Sequence, residues 1–580
     1  FTPWRDWVIE AFNQNMSYKD FVTWQIAGDL IENPSRESIL ATAFNRLHKR
    51  NSEAGIVYEE FRTEYVADRT NTFGKAFLAS SFECARCHDH KYDPISQKNY
   101  YQLFAFFNQT DEIGSAVYGP DITPGPSMLL TTDQQDEIIA YLNKKLAEKE
   151  EELDEIKNKN EKDIHRSDAQ LAAEVKRSLD ASEVVYFNFD KPYQKGDQIL
   201  SARKNDSHAL KTRFVSFAEG VKNEALLIDG DYGKAGLGNR DFLYERTQPF
   251  SFDLWINPPK HYDEALIFAN AQSIRYGFKG YNCMLDSNRV RFIISHAWPY
   301  NSLEVVSKES VPVSEWSHLT ITYDGTSKAA GIKLFLNGRE LAKEIRRDNL
   351  YKGLIYEENI HTLSDHELMF GNEQFQKMFK NGRIDEFRMF NKSITPLEVK
   401  YLHGEGLHAQ PQELVTDFYI AQSTAYQQER KIYQQIADSL SDLLNAVPEI
   451  MVMGDMEEPR KTFVLNRGVY DAHGEEVNIG MPNDMLEFST DYVQNRLGLA
   501  QWLFDEKNPL TARVMVNRIW QMHFGQGLVM TSEEFGSQGS LPSHPELLDW
   551  MAVWFMENNW DIKALHKKIV MSYTFQQSSE

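Results

Sequence analysis

Apolar and aromatic positions recur at helical spacing through residues 1–110. Trp4, Trp7, Val8 and Phe12 share one face of a first helix. A second helix restarts at Met16–Asp20 and runs through Phe21, Trp24 and Ile26 to Gly28 and the Asn33-Pro34 break. A third is expected from Glu59 through Val66 to Leu78. An aromatic stripe of this kind reads as core packing. Residues 111–131 carry Gly119-Pro120, Pro124 and Gly125-Pro126 and read as loop. Beyond them, Ile138, Leu142, Leu146, Leu153 and Ile156 stand at heptad-like spacing in a Glu/Lys-rich run. That pattern predicts a long amphipathic helix or short coiled coil. A second such segment spans 416–447. The two bracket everything between them, which predicts an antiparallel pair within the chain carrying an inserted domain at its tip.

The pattern changes to short two-residue alternation from about 184 to 406. Strands are expected at Val184–Phe189, Ala225–Ile228, Phe250–Ile256, Val290–Ile294, His318–Tyr323 and Gly331–Leu336. Asn337-Gly338 and Asp229-Gly230 supply turns. Many short strands with regular turns predict a β-sandwich. Residues 450–580 return to mixed helical patterning, with Trp502, Trp520, Trp550, Trp554 and Trp560 as expected anchors. The fold class is multidomain α+β: a mainly helical domain built from both ends of the chain, a helical pair, and an inserted all-β sandwich. The expected boundaries are 1–131, 132–183, 184–406, 407–449 and 450–580, the last packing on the first.

Composition narrows the picture. Of 580 residues, 42% are hydrophobic and 25% charged, ordinary values for globular protein. No stretch approaches 18 apolar residues, so no membrane span is expected. A net charge of −23 argues against non-specific binding to nucleic acid or to an anionic membrane. It does not oppose anionic glycans, which a bound cation can bridge. Three cysteines, Cys84, Cys87 and Cys283, exclude a disulfide-rich scaffold. The opening FTPWRDWVIEAFN reads as the inside of a folded domain, so the numbering is expected to begin downstream of the true N-terminus.

The sharpest chemical signal is Cys84-Ala85-Arg86-Cys87-His88. Two thiols at this spacing can add to the vinyl groups of a haem, and the adjacent imidazole can ligate its iron. Random composition would produce such a string roughly 4 times in 10,000 chains like this one. Rival chemistries are a zinc site from Cys84, Cys87, His88 and His90, and a redox dithiol or structural disulfide between the two cysteines. His90, Lys91 and Asp93 follow, as groups supporting a haem or as a turn closed by Pro94. His48, His523, His544 and several Met residues are candidates for a sixth iron ligand.

Other constellations are less specific. Glu60 and Glu64, and Tyr65 and Arg69, stand four apart on a helix and share faces, as buried carboxylate–guanidinium pairs or as the wall of a cleft. Glu60 or Asp68 with His90 could serve acid–base chemistry on a polysaccharide. Ser543 is expected to cap a helix at His544-Pro545, with Glu546 completing a capping box. Asp229, Asp231 and Asp385 lie near turns of the sandwich, where oxygen-only ligation would suit calcium and Asx-type turn stabilisation is the alternative. No G-x-S-x-G elbow, H-E-x-x-H helix, P-loop or dinucleotide fingerprint occurs.

Several of these segments carry a resemblance. WRDWVIEAFNQNMSYKDFVTWQIAGDL, EEFRTEYVADRTNT and CARCHDHKYDPISQKNYYQLFAFFN closely resemble the first domain of unknown function of the planctomycete-type cytochrome c family. NRLGLAQWLFDEKNPLTARVMVNRIWQMHFGQGLV and LPSHPELLDWMAVWFM resemble that family's second such domain. ALLIDGDYG, FSFDLWI, WSHLTITYDG and GRIDEFRMFNKSITPLEV look like a laminin-G/concanavalin-like sandwich. The resemblance implies an exported protein, truncated here at both ends and often joined to a further cytochrome c domain. It assigns Cys84, Cys87 and His88 to covalent haem c, with His88 as the proximal ligand. It carries no catalytic residue elsewhere.

The expected function is that of an extracytoplasmic, periplasmic or secreted c-type haem protein in electron transfer or oxidation, linked to polysaccharide. A redox partner protein or separate cytochrome c domain would exchange electrons with it. The alternatives are a non-redox glycan-binding or assembly protein with a Cys84–Cys87 disulfide, and a polysaccharide hydrolase or lyase. Catalytic residues are unassigned, with His90, Asp93, Glu60 and Asp68 as candidates.

Overall fold

Helical stripes at the ends and strand alternation in the middle sort the chain into two units. One contains Phe1–Ala116, Thr123–Met128 and Glu449–Glu580, the other Val117–Ile122 and Leu129–Pro448. The computed structural model describes residues 1–51, 56–114, 122–159, 168–229, 232–238, 241–271, 274–355, 367–371, 377–408 and 410–578.

The helical unit is built from both ends of the chain. Ser17 caps the Tyr18–Ala27 helix by accepting the Asp20 N–H. The Tyr58–Leu78 helix stops where Ala79 turns left-handed at φ 44°. Ser96 and Asn99 form a capping box on the Gln97–Phe107 helix. Val22, Phe73, Phe82, Tyr100 and Phe104 share a core with Trp502, Phe555 and Leu565 from the C-terminal segment. The Tyr18 ring packs edge-on to Phe504, and its N–H donates to the Trp560 carbonyl at 2.9 Å. Arg496, fully buried, donates to the Ile26 carbonyl and to both Asp29 oxygens and ties the two ends together.

Two corrections fall in this unit. Trp550 does not anchor the core: the Pro545–Glu557 helix buries Leu548, Met551 and Phe555, leaving Trp550 on its outer face at 53% exposure. Ser543 does not cap that helix either. Its N–H and hydroxyl both donate to the Leu528 carbonyl, and His544 takes the cap position without a side-chain bond.

The second unit is a β-sandwich with helices packed on it. One antiparallel sheet runs from Arg339–Glu340 through Ile332–Leu336, Ser317–Tyr323, Phe250–Asn257, Gly382–Phe390 and Glu224–Ile228 to Ser216–Glu219. The other, ten-stranded sheet is centred on Asn301–Ser310, Arg289–Ala297, Gly280–Asp286 and Glu264–Ala271. Alternation along Phe250–Asn257 places Phe250, Phe252, Leu254 and Ile256 in the shared core. Phe252, Phe268, Phe370 and Phe387 knit the sheets, with ring centroids as close as 4.7 Å. Asn337 and Gly338 both take positive φ, as a tight hairpin turn requires.

The helical pair is present and antiparallel. Asp133–Lys159 packs on Thr424–Ala446 through Leu146, Leu153, Tyr426, Tyr433 and Ala437. Lys149 bridges to Glu429 at 2.9 Å. The returning segment is two helices rather than one. Ser423 is extended at φ −68°, ψ 142°, and caps the second helix through the Tyr426 N–H. Among the described residues no helix is long and apolar enough to cross a membrane.

Candidate functional site

The C-x-x-C-H segment follows directly from the left-handed stop at Ala79. Phe82–Arg86 forms a 3₁₀ turn, in which residues three apart eclipse one another. Phe82 and Ala85 are therefore buried together, while Cys84 and Cys87 share an exposed face as free thiols. Arg86 clamps the turn. Its guanidinium donates to both Glu64 oxygens, and this hydrogen bonding raises its proton affinity further. Its carbonyl accepts the Tyr101 hydroxyl at 3.0 Å and the Gln97 amide at 3.0 Å. Gln97 also donates to the Leu465 carbonyl, which brings the 466–468 turn alongside. Gly468 lies there at φ +73°, and a Cβ on it would stand 3.0 Å from Cys87 Sγ.

His88 is exposed, and its Nδ1 lies 2.7 Å from the Asp89 carbonyl. A carbonyl only accepts, so Nδ1 is the donor and Nε2 is the nitrogen turned away from this bond. Asp89 in turn accepts the Gln97 N–H at 2.8 Å. The thiols and imidazole thus come from one short stretch of chain, and their supports from the two helices that flank it and from the 466–468 turn.

His90 and Asp93 are both buried and 3.5 Å apart. His90 Nδ1 accepts the Asp93 N–H at 2.8 Å. Asp93 Oδ1 accepts the Ser537 N–H at 2.7 Å, and Oδ2 is buried without a hydrogen-bond partner. Glu534 lies beside them, accepting the Ser81 hydroxyl at 2.6 Å and the Gly536 N–H at 2.8 Å. A Cβ on Gly536 would stand 2.5 Å from Asp93 Oδ2 and 2.6 Å from Glu534 Oε1. Sequence reasoning missed Glu534, Gly536 and Ser537. Their EEFGSQGS run signals only a turn, and they lie more than 440 positions from Asp93.

Other candidates are placed differently. Glu60, Glu64 and Asp68 line the exposed side of the Tyr58–Leu78 helix, whereas His90 is buried. Burial raises the Asp68 carboxyl, with Arg69 and Lys49 opposing. Glu64 pairs with Arg86 rather than with its helix neighbours. Arg69 is buried and pairs with Glu112 at 2.9 Å, while Tyr65 stacks on His48 at 4.4 Å. The proposed sixth ligands are largely occupied. His48 Nδ1 meets the Lys49 carbonyl at 2.8 Å and Nε2 meets Arg69 at 2.9 Å. His523 Nε2 contacts His566 Nδ1 at 2.7 Å. His544 is exposed and bonds to Ser543.

In the sandwich, Asp385 is buried, and its oxygens accept the N–H groups of Val221, Lys222 and Glu386 at 2.8, 3.2 and 2.8 Å. Burial and neighbouring Glu386 push its carboxyl up to about 7 against those bonds. Asp229 accepts the Ser216 hydroxyl at 2.6 Å. Asp231 lies outside the described residues. Among those described, no group of three or more His, Cys, Asp or Glu side chains is gathered as a metal ion would require.

Comparison with known proteins gives three family matches. Residues 1–112 match PSCyt2, a protein of unknown function (DUF1549). Residues 229–400 match Laminin_G_3 of the concanavalin A-like lectin/glucanases superfamily. Residues 495–580 match PSD1, a protein of unknown function (DUF1553). The order is the one expected from the sequence. No curated protein matches the chain. Among solved structures, similarity is found to the binding domain of Paraclostridial Mosquitocidal Protein 1, at 15% identity and TM-score 0.30 over 39% of this chain and 52% of that one. The binding domain of botulinum neurotoxin serotype G matches at 15% identity and TM-score 0.29, over 38% of this chain and 50% of that one. The chain thus spans about half the length of these structures.

Proposed function

We propose that this chain is an extracytoplasmic protein whose helical unit carries a covalently attached c-type haem and whose sandwich binds carbohydrate. One observation carries the haem half. Cys84 and Cys87 are exposed free thiols three residues apart, and the adjacent, exposed His88 donates Nδ1–H to the Asp89 carbonyl, which turns Nε2 away from that bond. Thioether attachment needs two accessible thiols. Axial ligation needs an imidazole oriented through its far nitrogen. Cys84 and Cys87 would hold the group and His88 would ligate it. Such a group, when bound, supplies one-electron transfer.

The chain's own residues prepare the turn. Arg86, Glu64, Tyr101 and Gln97 fix its backbone. Gly468 leaves room beside Cys87 Sγ. His90 and Asp93 pin the loop that follows to Ser537. The superfamily match of residues 229–400 supports the carbohydrate half. Covalent haem attachment occurs outside the cytoplasm, which sets the location and calls for a redox partner protein or a further cytochrome c domain.

The test is a pyridine hemochrome assay on protein from a host competent in extracytoplasmic haem attachment. One c-type haem per chain is expected, lost completely in the Cys84→Ala/Cys87→Ala variant. Absence of haem together with a Cys84–Cys87 disulfide would overturn the redox reading in favour of a glycan-binding protein.

A further inference from the structure

The helices of the second unit do more than flank the sandwich. Between the antiparallel pair and the hairpin that joins Ser317–Tyr323 to Ile332–Leu336 lies an open cleft of about 760 Å³. That volume falls within the range of small-ligand sites.

Its walls are braced against each other. Glu150 of one helix accepts the Lys328 ammonium of the hairpin at 2.7 and 2.9 Å, and the Tyr433 hydroxyl of the other helix at 3.1 Å. Arg430 donates to the Asp324 carbonyl, with its plane over the Tyr433 ring at 5.1 Å. These ties cross from helix to helix and from helix to sheet, so the opening is held by bonds on both sides.

The cleft is lined by nearly equal numbers of acidic and basic side chains, and three pairs are bridged within it. Lys392 pairs with Glu398 at 2.5 Å, Lys157 with Asp154 at 2.8 Å, and Lys328 with Glu150. In a chain of net charge −23, this is a locally balanced surface. The rest of the lining mixes further charges, such as Lys431 and Asp417, with apolar Leu153 and Ile420 and with the amides and ring of Gln427 and Tyr426. Such a lining offers polar and apolar surface side by side. The near balance of its charges leaves little net field to select a charged ligand. Hydroxyl-rich ligands suit it, because amides and paired charges both donate and accept hydrogen bonds and a tyrosine offers a face for a sugar ring.

We propose that this cleft is the carbohydrate site of the protein, and that it takes an uncharged oligosaccharide. The inference rests on the carbohydrate reading of the sandwich and adds its place and ligand class. The test is calorimetric titration of the full chain with cello-, xylo- and manno-hexaose, with oligogalacturonate as the charged probe. Ala330→Trp fills the cleft from an exposed position, and Tyr426→Ala removes its ring. At least one neutral hexaose should bind, with affinity at least tenfold weaker in both variants and a thermal midpoint unchanged in Ala330→Trp. Equal binding by wild type and both variants would place the site elsewhere, leaving the carbohydrate reading intact. Preference for oligogalacturonate that collapses with added salt would overturn the uncharged class. No binding of any probe by the wild type would overturn the carbohydrate reading itself.

Discussion

His88 and His48 occupy the same helical unit and begin identically. Each donates Nδ1–H to the carbonyl of the next residue, Asp89 or Lys49. They differ in what meets Nε2. At His88 the imidazole is exposed; at His48 Nε2 accepts from Arg69, which with Arg46 surrounds the buried Glu112. The local backbone therefore makes Nδ1 the donor in both, and the rest of the fold decides whether the ring stays exposed or its second nitrogen becomes a structural acceptor. A histidine cannot be assigned to a metal from its neighbours in sequence alone.

The sharpest way to break this contrast is to empty the buried cluster. Glu112→Ala leaves Arg46 and Arg69 buried without their carboxylate, and Arg46 is already pressed down to about 10 by burial. Removing one partner of such a group costs about 3–5 kcal/mol. The denaturant midpoint of the helical unit should fall accordingly. The reactivity of Cys84 and Cys87 toward a thiol reagent in dilute buffer should not change. Altered thiol reactivity would mean that the two places are coupled.

Acid should separate them next. Burial, then Arg69, hold His48 down to about 3. Burial raises the Glu112 carboxyl, but Arg69 and Arg46 outweigh it and leave it at about 2. The unfolded chain takes up the histidine proton near 6.5, where the folded protein does not. Between about 6.5 and 3 the unfolded state thus binds more protons, so stability rises with pH across that window. The contribution of Glu112 follows the same sign lower down, present above its unfolded value and lost as pH falls through about 2. Thermal midpoints measured from pH 7 to 4 should fall, and His48→Gln should flatten that slope. An unchanged slope would show that His48 is not held neutral.

What the sequence revealed follows the range of the interactions. The C-x-x-C-H motif is contained in five consecutive residues, and the sandwich strands in runs of alternation, so the motif and the sandwich were legible. The helical pair was legible from its stripe, but its break was not, because Ser423 reads equally as a helical residue and as a cap. Glu60 and Glu64, and Tyr65 and Arg69, were expected to share helix faces, as buried carboxylate–guanidinium pairs or as a cleft wall. Instead Glu64 reaches Arg86, 22 positions on, and Arg69 reaches Glu112, 43 positions on. Asp93 meets Ser537 across 444 positions. Ser543 fits a capping pattern, yet a tertiary carbonyl at Leu528 takes its hydroxyl. Each of these polar side chains had a choice of partners, decided by packing that one strand of sequence does not contain.

The smallest effect is the most diagnostic for the exposed turn. Gly468 and Gly525 both sit at strongly positive φ, +73° and +77°. Alanine at either place costs the left-handed penalty, about 1–2 kcal/mol. They differ in surroundings: nothing lies within 4 Å of a Cβ at Gly525, whereas at Gly468 it would meet Cys87 Sγ at 3.0 Å. Gly525→Ala should therefore lower the thermal midpoint slightly and leave haem attachment whole. Gly468→Ala should lower it by a similar amount and also displace the Cys87 thiol. The hemochrome band should then shift toward that of a haem held by one thioether, at Cys84. If the two variants attach haem equally well, the 466–468 turn does not position Cys87, and the room beside its sulfur has no part in the chemistry of the motif.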